Sequence, residues 1–114
     1  MFTIKEYRKG KYIIRQGTHG TSAFILKKGS VEVFREDAGG NKIPIAVLKE
    51  GDVFGEMAMI SDTPRTANVV TLDDCQVAVL TKEAFLNLPD NNPAVVRIKK
   101  VMIDRLKGIK SSSR

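Results

Sequence analysis

Two side chains nine residues apart, Glu56 and Arg65, carry the chemistry that this sequence offers most plainly. They lie in GDVFGEMAMISDTPRTANV, Gly51 to Val69. Gly55-Glu56-Met57-Ala58-Met59-Ile60 reads as a single helical turn entered through a glycine, and Asp62-Thr63-Pro64 as a turn that delivers Arg65 into the next strand. The N-terminus of a helical turn aims unpaired N–H groups outward, where they can hold a phosphate. Arginine adds a planar, permanently charged fork suited to two phosphate oxygens. A glutamate would repel that phosphate. In the same pocket it must instead accept hydrogen bonds from something neutral and hydroxylated, such as a ribose. An anion clamp beside a hydroxyl acceptor describes a nucleotide with one negative charge. The same two residues would equally make a surface ion pair worth ~0 to 1 kcal/mol, and spacing alone does not separate the two.

The elements that must position these residues are short and mostly extended. Up to residue 81 the apolar positions alternate with period two and are punctuated by glycines at 10, 17, 20, 29, 39, 40, 51 and 55. Strands are expected over Thr3 to Tyr7, Tyr12 to Arg15, Ala23 to Lys28, Ser30 to Arg35, Lys42 to Leu48, Ala67 to Thr71 and Gln76 to Thr81. Lys28-Gly29 is a tight turn, and Asp37-Ala38-Gly39-Gly40-Asn41 a hairpin loop. Many short strands with frequent turns point to a sandwich or a jelly-roll barrel. The pattern then changes. Lys82 to Leu88 suits a short helix that Pro89 ends, and Asn92-Pro93 offers an N-cap with proline at the first helical position. Val95, Ile98, Met102, Leu106 and Ile109 form one apolar stripe on the last helix. The whole chain reads as one domain, with a barrel over about 1–81, helices over about 82–110 and a frayed tail at 111–114.

Composition narrows the alternatives. The 114 residues allow one small domain and, with 42% hydrophobic and 28% charged residues, a real core. No apolar stretch approaches the ~20 residues of a membrane span, and no secretory signal opens the chain. The lone Cys75 cannot form an internal disulfide, so the reducing cytoplasm is compatible, and it reads as a buried strand residue. Catalysis is poorly supported. A metal-dependent jelly roll needs a cluster of His and carboxylate ligands, whereas His19 is the one histidine and sits in a Gly-flanked turn. No GK[ST] loop and no Ser-His-Asp or Cys-His set is present, so the expectation is a non-enzymatic protein without metal. The net charge of +6 comes entirely from residues 91 to 114, which hold seven basic side chains and one acidic one. A basic helix can mark a nucleic acid, but no reading helix, stacking aromatics or zinc module accompanies this one. About 20 residues from the start of the last helix are too few for a helix-turn-helix, so direct nucleic-acid binding is not expected.

The segment GDVFGEMAMISDTPRTANV resembles the phosphate-binding cassette of cyclic nucleotide-binding domains, with Phe54-Gly55-Glu56, Ala58 and Arg65-Thr66-Ala67 present together and in order. Upstream, KGKYIIRQGTHGTSAFILKKGSVEVF is similar to the early strands of that family, which includes cyclic nucleotide-gated channels, cyclic nucleotide-dependent kinases and catabolite activator-like regulators. Ile103 to Leu106, IDRL, resembles the lid helix of the channel members. The chain departs from the family by starting at the first strand, by carrying Thr21 after Gly20 where an aspartate is common, and by placing Gly108 where channel members have a basic residue.

The resemblance implies a double-stranded β-helix (jelly-roll) fold and a sensor of cAMP, or of cGMP, whose C-terminal helix moves on binding. It places the ligand in a cassette of Phe54, Gly55, Glu56, Met57, Ala58, Arg65, Thr66 and Ala67. Arg65 would pair with the exocyclic oxygens of the cyclic phosphate, Gly55 and Ala58 would donate backbone N–H groups, and Glu56 would accept from the ribose 2′-OH. No Mg²⁺ is needed for a singly charged diester, so no cofactor is expected. The base would lie between Val33, Ala46 and Leu48 on the wall and Arg105, Leu106 and Ile109 on the lid, although ordinary core packing would use the same apolar residues. Thr66 resembles the branch that accepts cGMP; its hydroxyl would reach either the phosphate alone or also the guanine amino group. An effector protein or a second copy of the chain would engage the C-terminal helix. The alternatives are the sensing part of a nucleic-acid-binding regulator, and a degenerate scaffold that binds protein only, against which intact Glu56 and Arg65 argue.

Overall fold

The computed structural model describes residues 3–61 and 63–106. In chain order the strands are β1 (Thr3–Tyr7), β2 (Tyr12–Ile14), β3 (Ala23–Lys28), β4 (Val31–Glu36), β5 (Lys42–Leu48), β6 (Val53–Phe54), β7 (Asn68–Thr71) and β8 (Cys75–Leu80). A 3₁₀ turn at Glu56–Met59 follows β6, and the helices α1 (Lys82–Asn87) and α2 (Pro93–Leu106) follow β8. Two four-stranded antiparallel sheets result, in the orders β1-β8-β3-β6 and β2-β7-β4-β5. The fold is therefore mainly β, with two antiparallel sheets and a C-terminal helix.

Period-two alternation places one face of each sheet inward. Leu26, Phe54 and Val77 from the first sheet meet Val31, Val33, Leu48 and Val69 from the second in one apolar cluster. Cys75 belongs to it, and burial pushes its thiol pKa up, as befits a small strand residue. A second cluster forms where α2 docks: Ile98, Val101 and Met102 pack with Ala23, Val53, Met59 and Leu80. Met59 ties the 3₁₀ turn to the helix. The β3–β4 turn requires Gly29, since its φ is 92° and a Cβ there would lie 2.6 Å from the Asp74 carbonyl oxygen.

Several boundaries differ from expectation. Arg15, Ser30 and Ala67 lie just outside β2, β4 and β7, β4 extends to Glu36, and β8 begins at Cys75. Thr81 leaves the strand to cap α1, its hydroxyl accepting from the Ala84 N–H at 3.1 Å. β6 was not expected, because two residues carry no alternation. On α2, Val95, Ile98 and Met102 are buried as the stripe requires, but Leu106 is 66% exposed and Val101 is buried in its stead. At about 100° per residue the buried arc centres near Ile98 and Arg105, and Leu106 falls past its edge. Ile109, Gly108, the tail at 111–114 and Asp62 of the expected turn lie outside the described residues.

Candidate functional site

Phe54 is almost fully buried in β6, opposite Phe24 of β3, and the two rings stack at 5.2 Å between centroids. This pins the end of β6. Gly55 follows in the left-handed region, φ 72° and ψ 6°, and starts the 3₁₀ turn. A side chain at Gly55 would be strained by the backbone and would also meet Arg65 Nη1 at 2.9 Å. The expected helical turn is thus a tighter one than an α-helix, within which the Ala58 N–H reaches the Gly55 carbonyl at 3.4 Å.

Arg65 comes to the same place from the other side of the cassette. Its Nη1 donates to the Gly55 carbonyl at 2.9 Å and its Nη2 to the Ser22 carbonyl at 3.0 Å, with the guanidinium 5.7 Å above the Phe24 ring. Burial lowers its pKa and the nearby Glu56 raises it.

Glu56 is fully buried, and its Oε1 has no hydrogen-bond partner. Oε2 accepts from Nη1 of Arg105 at the end of α2. Burial pushes the Glu56 pKa up; Arg105, the backbone N–H groups of Glu56 and Met57, and Arg65 pull it back. A carboxylate sequestered with one uncommitted oxygen stores an acceptor that a hydroxyl would satisfy. Glu56 and Arg65 are not paired with each other in an ion pair, which disposes of the surface-pair alternative.

A cavity of about 360 Å³ opens beside these groups. Phe54, Gly55, Met57, Ala58, Arg65, Thr66 and Ala67 line it, as do Val33 and Arg105. Glu56 does not line it, and is linked to it by Arg105, which lines the cavity and donates to Glu56 Oε2. Two of the expected wall residues sit elsewhere: Leu48 is 1% exposed in the inter-sheet core, and Ala46 packs against that core. Ile45 lines the cavity in their place. A register shift between Val33 and Phe34 sets Val33 opposite Ala46 but Phe34 opposite Pro44, so Ile45 is the extra residue of a bulge. Such a bulge re-aims a side chain against the alternation. Of the expected lid, Arg105 reaches the cavity, the exposed Leu106 does not, and Ile109 lies outside the described residues. Ile14, Val69, Ser61, Thr63 and Pro64 also line the cavity. Sequence reasoning missed them, although Ile14 and Val69 do fall on the inward parity of β2 and β7.

Among the described residues no group of three or more His, Cys, Asp or Glu is placed to hold a metal ion. No helix among them is long and apolar enough to cross a membrane.

Residues 4–92 match the family model of the cyclic nucleotide-binding domain. A cAMP-dependent protein kinase regulatory subunit of Aspergillus fumigatus is 37% identical over 83 residues, which cover 73% of this chain and 19% of the relative. The cGMP-dependent protein kinase 2 of Homo sapiens is 40% identical over 84 residues, covering 72% of this chain and 11% of the kinase. The crystal structure of the Thermus thermophilus catabolite activator protein superposes with a TM-score of 0.83 at 30% identity, covering 94% of this chain and 50% of that one. The chain therefore spans half or less of the length of each of these relatives.

Proposed function

The chain belongs to the cyclic nucleotide-binding domain family, and from that premise we propose that it is a non-enzymatic sensing module that binds cAMP, and cGMP to a lesser degree, in the cavity beside Arg65. The observation that carries this reading is the pairing of opposite chemistries in one place. A guanidinium stands at the cavity wall, and a fully buried carboxylate with an uncommitted oxygen stands next to it. Arg65 takes the exocyclic oxygens of the cyclic phosphate and the Gly55 N–H assists. The Ala58 N–H joins it by giving up its long 3.4 Å bond to the Gly55 carbonyl, and Glu56 takes the ribose 2′-OH on Oε1 while Oε2 keeps Arg105. Phe54, Met57, Thr66 and Ala67 complete the cassette, while Val33, Ile45 and Arg105 flank the base. One arginine balances the single charge of the diester, so no metal or other cofactor is invoked.

The two sheets are read as a jelly-roll barrel over about 1–81, within a single domain whose helices over about 82–110 respond to the ligand. Arg105 is the physical link between cavity and α2, since it belongs to the helix and holds Glu56. Through that helix the module engages an effector protein or a second copy of itself, without touching nucleic acid, and a cytoplasmic setting suits its lone thiol. Isothermal titration with both cyclic nucleotides tests the proposal. Saturable one-to-one binding of cAMP, lost in Arg65→Ala with an unchanged far-UV spectrum, is the expected result; absence of binding by either nucleotide to the folded protein refutes it.

A further inference from the structure

The guanidinium of Arg65 is held by neutral groups. Its acceptors are two backbone carbonyls, Gly55 and Ser22, and the ion pairs formed among the described residues involve Lys42, Lys99, Lys100 and Arg105 instead. A charged fork anchored this way depends on the shape of its slot for orientation, because no carboxylate clamps it in a bidentate grip.

One wall of that slot is the loop between β2 and β3. The Arg65 N–H donates to the Thr18 carbonyl at 2.8 Å and the Gly17 N–H donates to the Arg65 carbonyl at 2.8 Å, so the loop backbone is tied alongside Arg65. This register brings Gly20 against the side chain. A Cβ built on Gly20 would lie 3.0 Å from Nη2, 3.3 Å from Nε and 3.5 Å from Cζ of Arg65. Gly20 is not among the positive-φ glycines. Its backbone therefore accepts any residue, and the requirement for glycine comes from the guanidinium. Gly55 forms the facing wall, but its φ of 72° means that a substitution there mixes backbone strain with contact.

We infer that Gly20 is a positioning residue for Arg65, its missing side chain leaving the guanidinium in the plane that reaches both carbonyls while facing the cavity. A methyl group at this position displaces the free end of a flexible side chain, which yields more readily than a loop held by two backbone hydrogen bonds. The consequence is a folded domain with a misaligned anion clamp. The inference rests on the proposed phosphate role of Arg65, and its test separates the two.

Four proteins are compared: wild type, Gly20→Ala, Arg65→Ala and the double variant. The affinity for cAMP is followed by calorimetry, or by NMR titration at millimolar nucleotide where binding is weak. The arginine Nε–Hε resonances and the thermal midpoint are recorded without ligand. Gly20→Ala is expected to shift the Arg65 Nε–Hε resonance and leave the thermal midpoint unchanged. Its affinity should fall by roughly 10- to 100-fold, the equivalent of one misaligned charge-assisted hydrogen bond. In the Arg65→Ala background Gly20→Ala should cost nothing further, since there is no guanidinium left to move. An unmoved resonance, retained affinity in Gly20→Ala, or the same fold-loss in both backgrounds would each overturn the positioning role. Wild-type affinity in Arg65→Ala would sink the phosphate assignment and this inference with it. A large loss in Arg65→Ala beside none in Gly20→Ala would sink this inference alone.

Discussion

In the proposed reading Arg65 and Glu56 divide the recognition of one ligand between a charge and a hydroxyl, and each role has a separable signature. Truncation of Arg65 to Ala should weaken cAMP binding by about 2 to 5 kcal/mol, the usual loss when a desolvated charge pair is broken, as read by calorimetry. For Glu56 the probe is the ligand. 2′-Deoxy cAMP should bind wild type more weakly by about 1 to 3 kcal/mol, because the buried acceptor loses its partner. The same analogue should lose little more in Glu56→Gln, as both changes delete one interaction. Glu56 also predicts a pH dependence. Its pKa is raised from 4.5 by burial, so the folded state holds this proton more tightly than the unfolded chain does. Its contribution to stability is fully present below pH 4.5 and is lost as pH rises through the raised value. Urea midpoints across this window should fall with pH more steeply in wild type than in Glu56→Gln; parallel curves would show that the carboxylate does not titrate across it. Thr66 belongs to the same scale. A hydroxyl there adds about 0.5 to 1.5 kcal/mol, enough to shift a preference about tenfold, so Thr66→Ala should cost cGMP more than cAMP.

At the scale of elements, α2 is held from two directions. Ile98, Val101 and Met102 anchor it to the sheet and the 3₁₀ turn, and Arg105 anchors its far end to Glu56. Glu56 is the same group that the ribose hydroxyl would engage, so ligand and helix act on one carboxylate. Under the proposed function, the end of α2 is then the segment whose opening free energy would respond to the ligand. Hydrogen exchange at Val101 to Leu106 should slow on cAMP binding while β3 and β8 stay unchanged. Equal protection with and without nucleotide would make α2 a purely structural element.

Over the whole molecule, binding to the native state alone raises stability by mass action. At a free cAMP concentration of 100 times Kd the gain is about 2.7 kcal/mol, which for a domain of this size corresponds to a rise in Tm of roughly 10 to 20 °C. Differential scanning fluorimetry checks it, and cGMP at equal concentration should give the smaller rise. Of the positive charge carried beyond residue 90, Arg105 is the part that lines the cavity among the described residues.

Local chemistry alone determined much of this architecture. Alternation and glycine punctuation located seven of the strands, and Asn92-Pro93 located the start of α2. These are properties of adjacent residues, and a chain reports them directly. The cassette, in contrast, was legible through the family resemblance of Gly51 to Val69 and not through spacing. What the tertiary structure decided depends on register and depth. A bulge opposite Val33 and Phe34 moved the cavity wall from Ala46 and Leu48 to Ile45, a shift that no alternating pattern announces. The geometry of docking turned Arg105 inward and Leu106 outward, because the buried arc of a helix is set by what it packs against as much as by its own apolar stripe. The guanidinium of Arg65 found its anchors in carbonyls of Gly55 and Ser22, 10 and 43 positions away. Backbone carbonyls are present at every residue, so only the folded chain selects which of them an arginine meets.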